Sequence, residues 1–528
     1  MPSPQQQDMA FTLKFGGGIN SAASEDDVNQ IEATYGQNFV LDYKNRNLSP
    51  RSPIALLGQA PNAGRINGFV NLVDSDGVAT ILVQAGANVY KWSESGGFIL
   101  QTTVSSSARL RGHLHHYWPL DDAVIITDLA SVSNVLLWDG SSVTTMTHNL
   151  TGDFKAKYCW VDNERAYFGN VVSNSVATPH MMVVSKLSDY QTLSTAARPS
   201  SSLGADDPFY LLTPDLRPIN GMIGFYSGIA VSSEKGSIYN ITGSDSTDAS
   251  INPFFPRSYA TGNESMAYAG NDVIYGRLGR IESLISTQNY GDVATDDLTI
   301  PIKPDLTNLS NWLMAYNSRT QKIYIHADND DSIWQYSKDV SSSDVSPWVK
   351  LTTANSFGMM PTTMMSMIDP DDNLEYVFMG DENGFIYKIE GEQGQPDCGS
   401  NDIETTWRSG IMKLAQGYLA DKFDGYISYR ALTDTTVTIK FIFGGSYSST
   451  DTFTVELKGA SGGAYFGGAY YFGDSGTFFG SQFSGSFKRE AIAPSGTGEE
   501  IQIEISHTGT AFFEINEIGV RFTGKTNP

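Results

Sequence analysis

The sequence predicts an all-β protein centred on a seven-bladed β-propeller, and three observations carry that prediction. The 528 residues include 51 glycines, 12% aromatics and only 17% charged residues, the balance of a turn-rich sheet protein. A triplet of strand-like runs recurs seven times along the chain. The turns inside the repeats, among them DSDG, VDNE and DPDDN, are made of the Asp, Asn and Gly that tight hairpins require.

Residues 1–65 precede the repeats and read as an N-terminal arm packing with the C-terminal domain. FGGGIN at 15–20 is followed by SEDDVNQIEATYGQNFVLDYKN and LSPRSPIALLG. These stretches predict a short helix over Glu25 to Thr34 and a strand over Asn38 to Tyr43.

Residues 66–396 hold the repeats. The third strand of each is VYKW at 89, VLLW at 135, MVVS at 182, IYNI at 238, IESL at 281, IWQY at 333 and IYKI at 386, spaced 43 to 56 residues apart. A second strand such as ATILVQAG or QKIYIHA precedes each, and a first such as INGFVNLVD or WLMAYNS precedes that. With a polar fourth strand such as FILQTTV or WVKLTT, the unit is the four-stranded blade of a propeller. The signatures of WD40 and kelch repeats are missing, and an elongated array of β-sandwiches is the rival reading of the same runs.

Residues 397–528 form a second β region, predicted to be a sandwich-like antiparallel domain with its own core. The alternation in IQIEISH and FFEINEIGVRF marks half-buried strands. Within it, Gly462 to Phe487 is a run of Gly and aromatics that reads as an exposed loop or flexible hairpin, or as a tip packing aromatics against a neighbouring subunit. FGGAYYFGDSG lacks the calcium loop that accompanies FG-GAP repeats.

The formal charge of −24 argues against an extended basic face for nucleic acid. Residues 1–400 carry −20 of it and residues 401–528 carry −4. Cys159 and Cys398 are too few for a disulfide framework and read as buried thiols of a protein folded in a reducing compartment. The N-terminus has no secretory pattern, and no run approaches the roughly 18 apolar residues of a membrane span. The expectation is a soluble chain made in the cytosol, leaving only as part of a particle, with no membrane insertion.

Three stretches of the sequence offer candidate chemistry. Asp328, Asp330, Ser332 and Asp339 stand at positions one, three, five and twelve of a calcium loop, but position six is Ile333 where the sharp turn needs Gly. The flanks alternate as strands do, so this acidic cluster reads as a hairpin tip and not a metal site. In GHLHHYW, His113 and His115 share one strand face and His116 points away, too few for a metal without further ligands. Nucleophile elbows, zinc-protease helices, phosphate loops and sialidase Asp-boxes do not occur, and FGGGIN lacks the Lys and Ser or Thr of a phosphate loop. No catalytic, cofactor-binding or metal residue is assigned.

FGGGINSAAS leading to YGQNFVLDYKNR, a propeller-like centre, and a Gly and aromatic tract closing with FEINEIGVRF together resemble the tail nozzle of short-tailed bacteriophages. That family is also called tail tubular protein B or, in a related branch, the packaged-DNA stabilisation protein. The resemblance spans the whole architecture. It implies a structural virion protein without enzymatic activity, a homohexamer forming a ring below the adaptor and portal. It also implies contacts with tail fibres or spikes, location in the virion tail after assembly in the host cytoplasm, and a bore through which viral DNA passes without specific binding. An acidic wall would repel phosphate within a Debye length of about 8 Å, and Asp328, Asp330, Asp371 and Asp372 are the residues expected to face that path. The alternatives are a tail-associated carbohydrate-active propeller enzyme and a receptor-binding adhesin.

Overall fold

A computed structural model describes residues 7–526 apart from 43, 116–122, 226–227, 244, 256, 271, 285–295, 329, 341–344, 354–359, 415–417, 445–448 and 460–486. Among the described residues, seven four-stranded antiparallel sheets follow one another. Their inner strands are Ile66–Val73, Leu110–His115, Phe154–Asp162, Ile219–Phe225, Met266–Ala269, Trp312–Asn317 and Thr363–Ile368, and they define blades one to seven. Each inner strand touches the next, and that of blade seven touches that of blade one, so the ring closes.

Burial explains the strand patterns. Second strands are largely buried and mainly apolar: Ala123–Asp128 of blade two is buried at every position, its polar Thr127 and Asp128 included. Gly97–Thr103, the outer strand of blade one, is half-buried or exposed along its length, whereas that of blade six, Trp348–Thr352, is mostly buried. At the seam, Thr362 Oγ1 donates to the Ile66 carbonyl at 2.5 Å, and Ile66 N donates to the Asp381 carbonyl at 2.9 Å.

Blade seven departs from the sequence reading. Its fourth strand does not follow Phe385–Lys388 in the chain. It is Ala55–Gln59, from the segment assigned to the arm, and it pairs antiparallel with Phe385–Lys388. IYKI ends the run of repeats without a polar fourth strand because that strand is supplied from upstream, Phe385 pairing with Gln59 and Lys388 with Ala55.

The ends of the chain form two six-stranded sheets. In one, Phe513–Thr526 pairs with Tyr418–Ala431 on one side and with Gln7–Leu13 on the other, and Asn47–Pro50 and Phe39–Asp42 extend the sheet. In the other, Ala33–Gln37 pairs with Ile403–Ser409, which pairs with Glu500–Gly509 and onward to Thr435–Gly444 and Ser449–Leu457. Gln7–Leu13, Ala33–Gln37, Phe39–Asp42 and Asn47–Pro50, all from the segment read as an arm, are thus strands of this sandwich. Its core is not separate either: Phe15, Trp407, Phe441 and Ile515 belong to one buried apolar cluster with Trp312, Trp334 and Trp348 of blade six.

FGGGIN makes that join. Gly18 N donates to the Ser346 carbonyl at 2.7 Å and Ile19 N to the Trp348 carbonyl at 2.8 Å, along the outer strand of blade six. A Cβ on Gly18 would lie 2.0 Å from the Trp348 oxygen, so only glycine permits the approach. The helix expected over Glu25 to Thr34 is instead a pair of turns running into the strand Ala33–Gln37. Ser24 Oγ bonds Asp27 and the Asn29 side chain accepts from Ile31 N, local bonds that compete with a helical ladder. Glu32 is drawn inward, accepting from Asn20 Nδ2 at 3.0 Å and from Ser346 N at 2.5 Å. Among the described residues no helix is long and apolar enough to cross a membrane.

Candidate functional site in the propeller axis

The inner strands begin on one face of the ring and end on the other, and the space between them is crossed near the first face by an ion triad. Arg109 and Arg111 enter from the start of blade two. Glu264 enters from the turn before blade five, three positions away around the ring, so the bonds span the bore. Arg109 NH2 meets Glu264 Oε2 at 2.5 Å, and Arg111 NH2 bonds Glu264 Oε1. Arg111 also donates to Thr363 Oγ1 of blade seven at 2.9 Å and to the Asn67 carbonyl of blade one at 3.1 Å. One guanidinium therefore touches three other blades.

Electrostatics agree with this burial. The Arg111 pKa is pulled down to about 9, by desolvation first and by the Arg109 charge second. Arg109 is lowered by desolvation, opposed by the charges of Asp328 and Asp128. A carboxylate held by two guanidiniums braces the ring and is poorly placed to act as a free base.

The triad divides the axis. On the side where the inner strands begin lies a polar mouth of about 330 Å³, lined by Arg109, Tyr158, Asn263, Asn311 and Asp328 among others. On the other side lies a cavity of about 500 Å³ with methionine walls, Met222, Met266, Met314 and Met364, each from the inner strand of a different blade. Its rim carries Trp160, Tyr268, Tyr316 and Glu375. The Glu375 carboxylate accepts from Ser318 N at 3.0 Å, from Ser318 Oγ, and from Ser366 Oγ at 2.6 Å.

Of the residues singled out by sequence, Asp328 reaches the polar mouth and the other described ones fall outside the axial site. Asp330 accepts from Ser332 N at 3.2 Å, Ser332 Oγ at 2.6 Å and Trp334 Nε1 at 2.9 Å, within its own hairpin. Asp328 accepts from Asn311 Nδ2 at 3.1 Å. Among the described residues no three His, Cys, Asp or Glu side chains are grouped to hold a metal. Asp371 accepts from Glu94 N at 2.8 Å and Ser95 Oγ at 2.6 Å, tying blade seven to blade one, and Asp372 accepts from the Tyr376 hydroxyl at 2.8 Å.

The four aspartates do not share a surface. Ser318 and Glu375 place the first-to-second-strand turns of blades six and seven together on one face, with Asp371 and Asp372. Asp328 and Asp330 sit at the opposite end of the six-residue strand Lys322–Ala327, roughly 20 Å away.

The backbones of His113 and His115 pair with Ile125 and Ala123. Their side chains, and His116 altogether, lie outside the described residues, as does all of the Gly and aromatic run except Phe487, over whose ring Arg430 stands at 5.0 Å. Both cysteines are buried, and burial followed by the Asp397 charge pushes the Cys398 thiol up to about 12. Sequence reading missed Arg109, Arg111, Glu264 and Glu375. Two arginines at alternate positions of a strand, flanking the apolar Leu110, were the legible signal for the first two.

No family model matches this chain, and no curated protein matches it. Among solved structures it is similar to a catalytically inactive virginiamycin B lyase from Staphylococcus aureus with quinupristin, at TM-score 0.41 and 10% identity over 63% of this chain and 97% of that one. It is similar to the computationally designed Ika8 protein at 0.36 and 11%, over 64% and 99%. For BBS1N in complex with ARL6DN the values are 0.39 and 10%, over 65% and 98%.

Proposed function

We propose that the protein is a structural subunit of a short-tailed bacteriophage tail, a nozzle or hub protomer that assembles as a six-membered ring around the DNA channel. The observation that carries this reading is the apolar cluster shared by blades five to seven and the sandwich built from both chain ends. Such a unit transmits force as one body, which a ring under genome pressure needs. Two further features support it. The propeller's own axis is braced by Arg109, Glu264 and Arg111, so a DNA channel belongs between protomers and not through one of them. The net charge of −24 suits a wall past which phosphate must slide.

Light scattering on the purified protein, with electron imaging of tails labelled through it, tests the proposal. Six copies in a ring at the tail tip is the expected result. A monomer that releases reducing sugar from host polysaccharide would replace this reading with the carbohydrate-active one.

A further inference from the structure

We propose that the methionine-walled axial cavity is a binding site for a small aromatic ammonium, whose cation sits at Glu375 and whose ring enters the cavity. Three observations on the same rim point to that chemistry. The cavity is about 500 Å³, within the range of small-molecule sites, and its lining is mainly apolar with few polar groups.

Glu375 supplies the charge. Its carboxylate accepts from the Ser318 amide, the Ser318 hydroxyl and the Ser366 hydroxyl, all neutral, while the nearby Arg319 guanidinium donates Nε to the Glu375 carbonyl at 3.3 Å and not to the carboxylate. No ion pair reaches its carboxylate among the described residues, unlike Glu264 at the cavity floor, which is held by two guanidiniums. Of the roughly four lone-pair sites of a carboxylate, the serine donors occupy three, which leaves one on Oε1 for an ammonium proton. The serines also fix the carboxylate's position before any ligand arrives.

The rim and walls supply the rest. Tyr316 lines the same cavity as Glu375, whose charge, after desolvation, raises the pKa of its hydroxyl. Tyr268, 40% exposed, and Trp160 stand on the same rim from blades five and three. Below them the thioethers of Met222, Met266, Met314 and Met364 offer polarisable contacts to an aromatic ring. An anionic ligand is disfavoured, because four of the five Arg111 N–H groups already have protein acceptors.

Calorimetry on the full chain with 2-phenylethylammonium and its neutral isostere 2-phenylethanol tests the assignment. The ammonium should bind saturably at one site per chain, roughly tenfold tighter than the alcohol. Glu375→Gln should bring the ammonium to the alcohol's level and leave the alcohol unchanged. Tyr268→Ala, at an exposed position, should weaken the ammonium more than the alcohol. Equal affinity for the two ligands, an unaltered ammonium affinity in both variants, or no binding heat at about 10 mM ammonium overturns the proposal. These outcomes do not depend on whether the protein forms a ring.

Discussion

Arg51 and Asp397 form a two-pronged ion pair, at 2.8 and 2.6 Å, with their side chains only 5% and 1% exposed. One stands where the chain leaves the sandwich for blade seven, and the other where it returns. The guanidinium also donates to Asn38 Oδ1 and the Thr352 carbonyl, and Asp397 accepts from Ile54 N, so every charged atom is bonded. Asp397→Ala strands a buried cation and should cost about 3–5 kcal/mol in urea unfolding. The double change Arg51→Met with Asp397→Leu should recover most of it. A single-variant loss below about 1 kcal/mol would show that the pair is not what joins the two modules.

Gly18→Ala should destabilise the join with blade six. The added methyl meets backbone oxygen, which cannot rotate away as a side chain can. A cost of about 1–3 kcal/mol is expected, read as a lower thermal midpoint. An unchanged midpoint would mean that the contact between arm and blade is loose.

Acid should weaken the fold through two histidines. His326, 1% exposed, has Nδ1 at 3.0 Å from the Ser332 carbonyl oxygen, and His507, 4% exposed, has Nε2 at 3.0 Å from Thr435 Oγ1 and a buried Nδ1 with no partner among the described residues. Burial lowers both below the ordinary 6.5, so the folded protein prefers them neutral. The unfolded chain then binds more protons as pH falls through 6.5 towards the folded values. Stability is full above that window and declines within it. Replacing both residues by glutamine should flatten denaturation midpoints across this range; an equal decline in the double variant would assign the effect to other groups.

Ending the chain after Gln395 should not leave a clean propeller. Gln7–Leu13 and Asn47–Pro50 would lose Phe513–Thr526, their partner strand, and Phe15 and Phe39 would lose their cover. Aggregation or a broadened unfolding transition is expected in size-exclusion and melting experiments. A soluble monomer that melts sharply would show that the propeller folds without the sandwich.

Much of the architecture was legible because period-two alternation and turn chemistry are local signals. The inner, second and third strands of all seven blades fall on the runs read from sequence. What was not legible was pairing across long stretches of chain. IALLG reads the same whether it ends an arm or completes a blade far along the chain, and SEDDVNQIEAT has helical composition until Glu32 is captured by blade six. The axial site was hidden for the same reason. Arg109 and Glu264 become partners only when the ring brings blades two and five face to face.

The upstream origin of the strand Ala55–Gln59 also sets a schedule for biosynthesis. Gln59 leaves the ribosome 326 residues before Phe385, the residue with which it pairs. At about 5–20 residues per second that is a wait of roughly 16–65 s. During it, blade one has no neighbour on its open side, and Gln7–Leu13, Ala33–Gln37 and Asn47–Pro50 await strands that emerge later still. Nascent chains on one messenger therefore present matching unpaired edges to each other, and widely spaced ribosomes would protect them from exchanging strands.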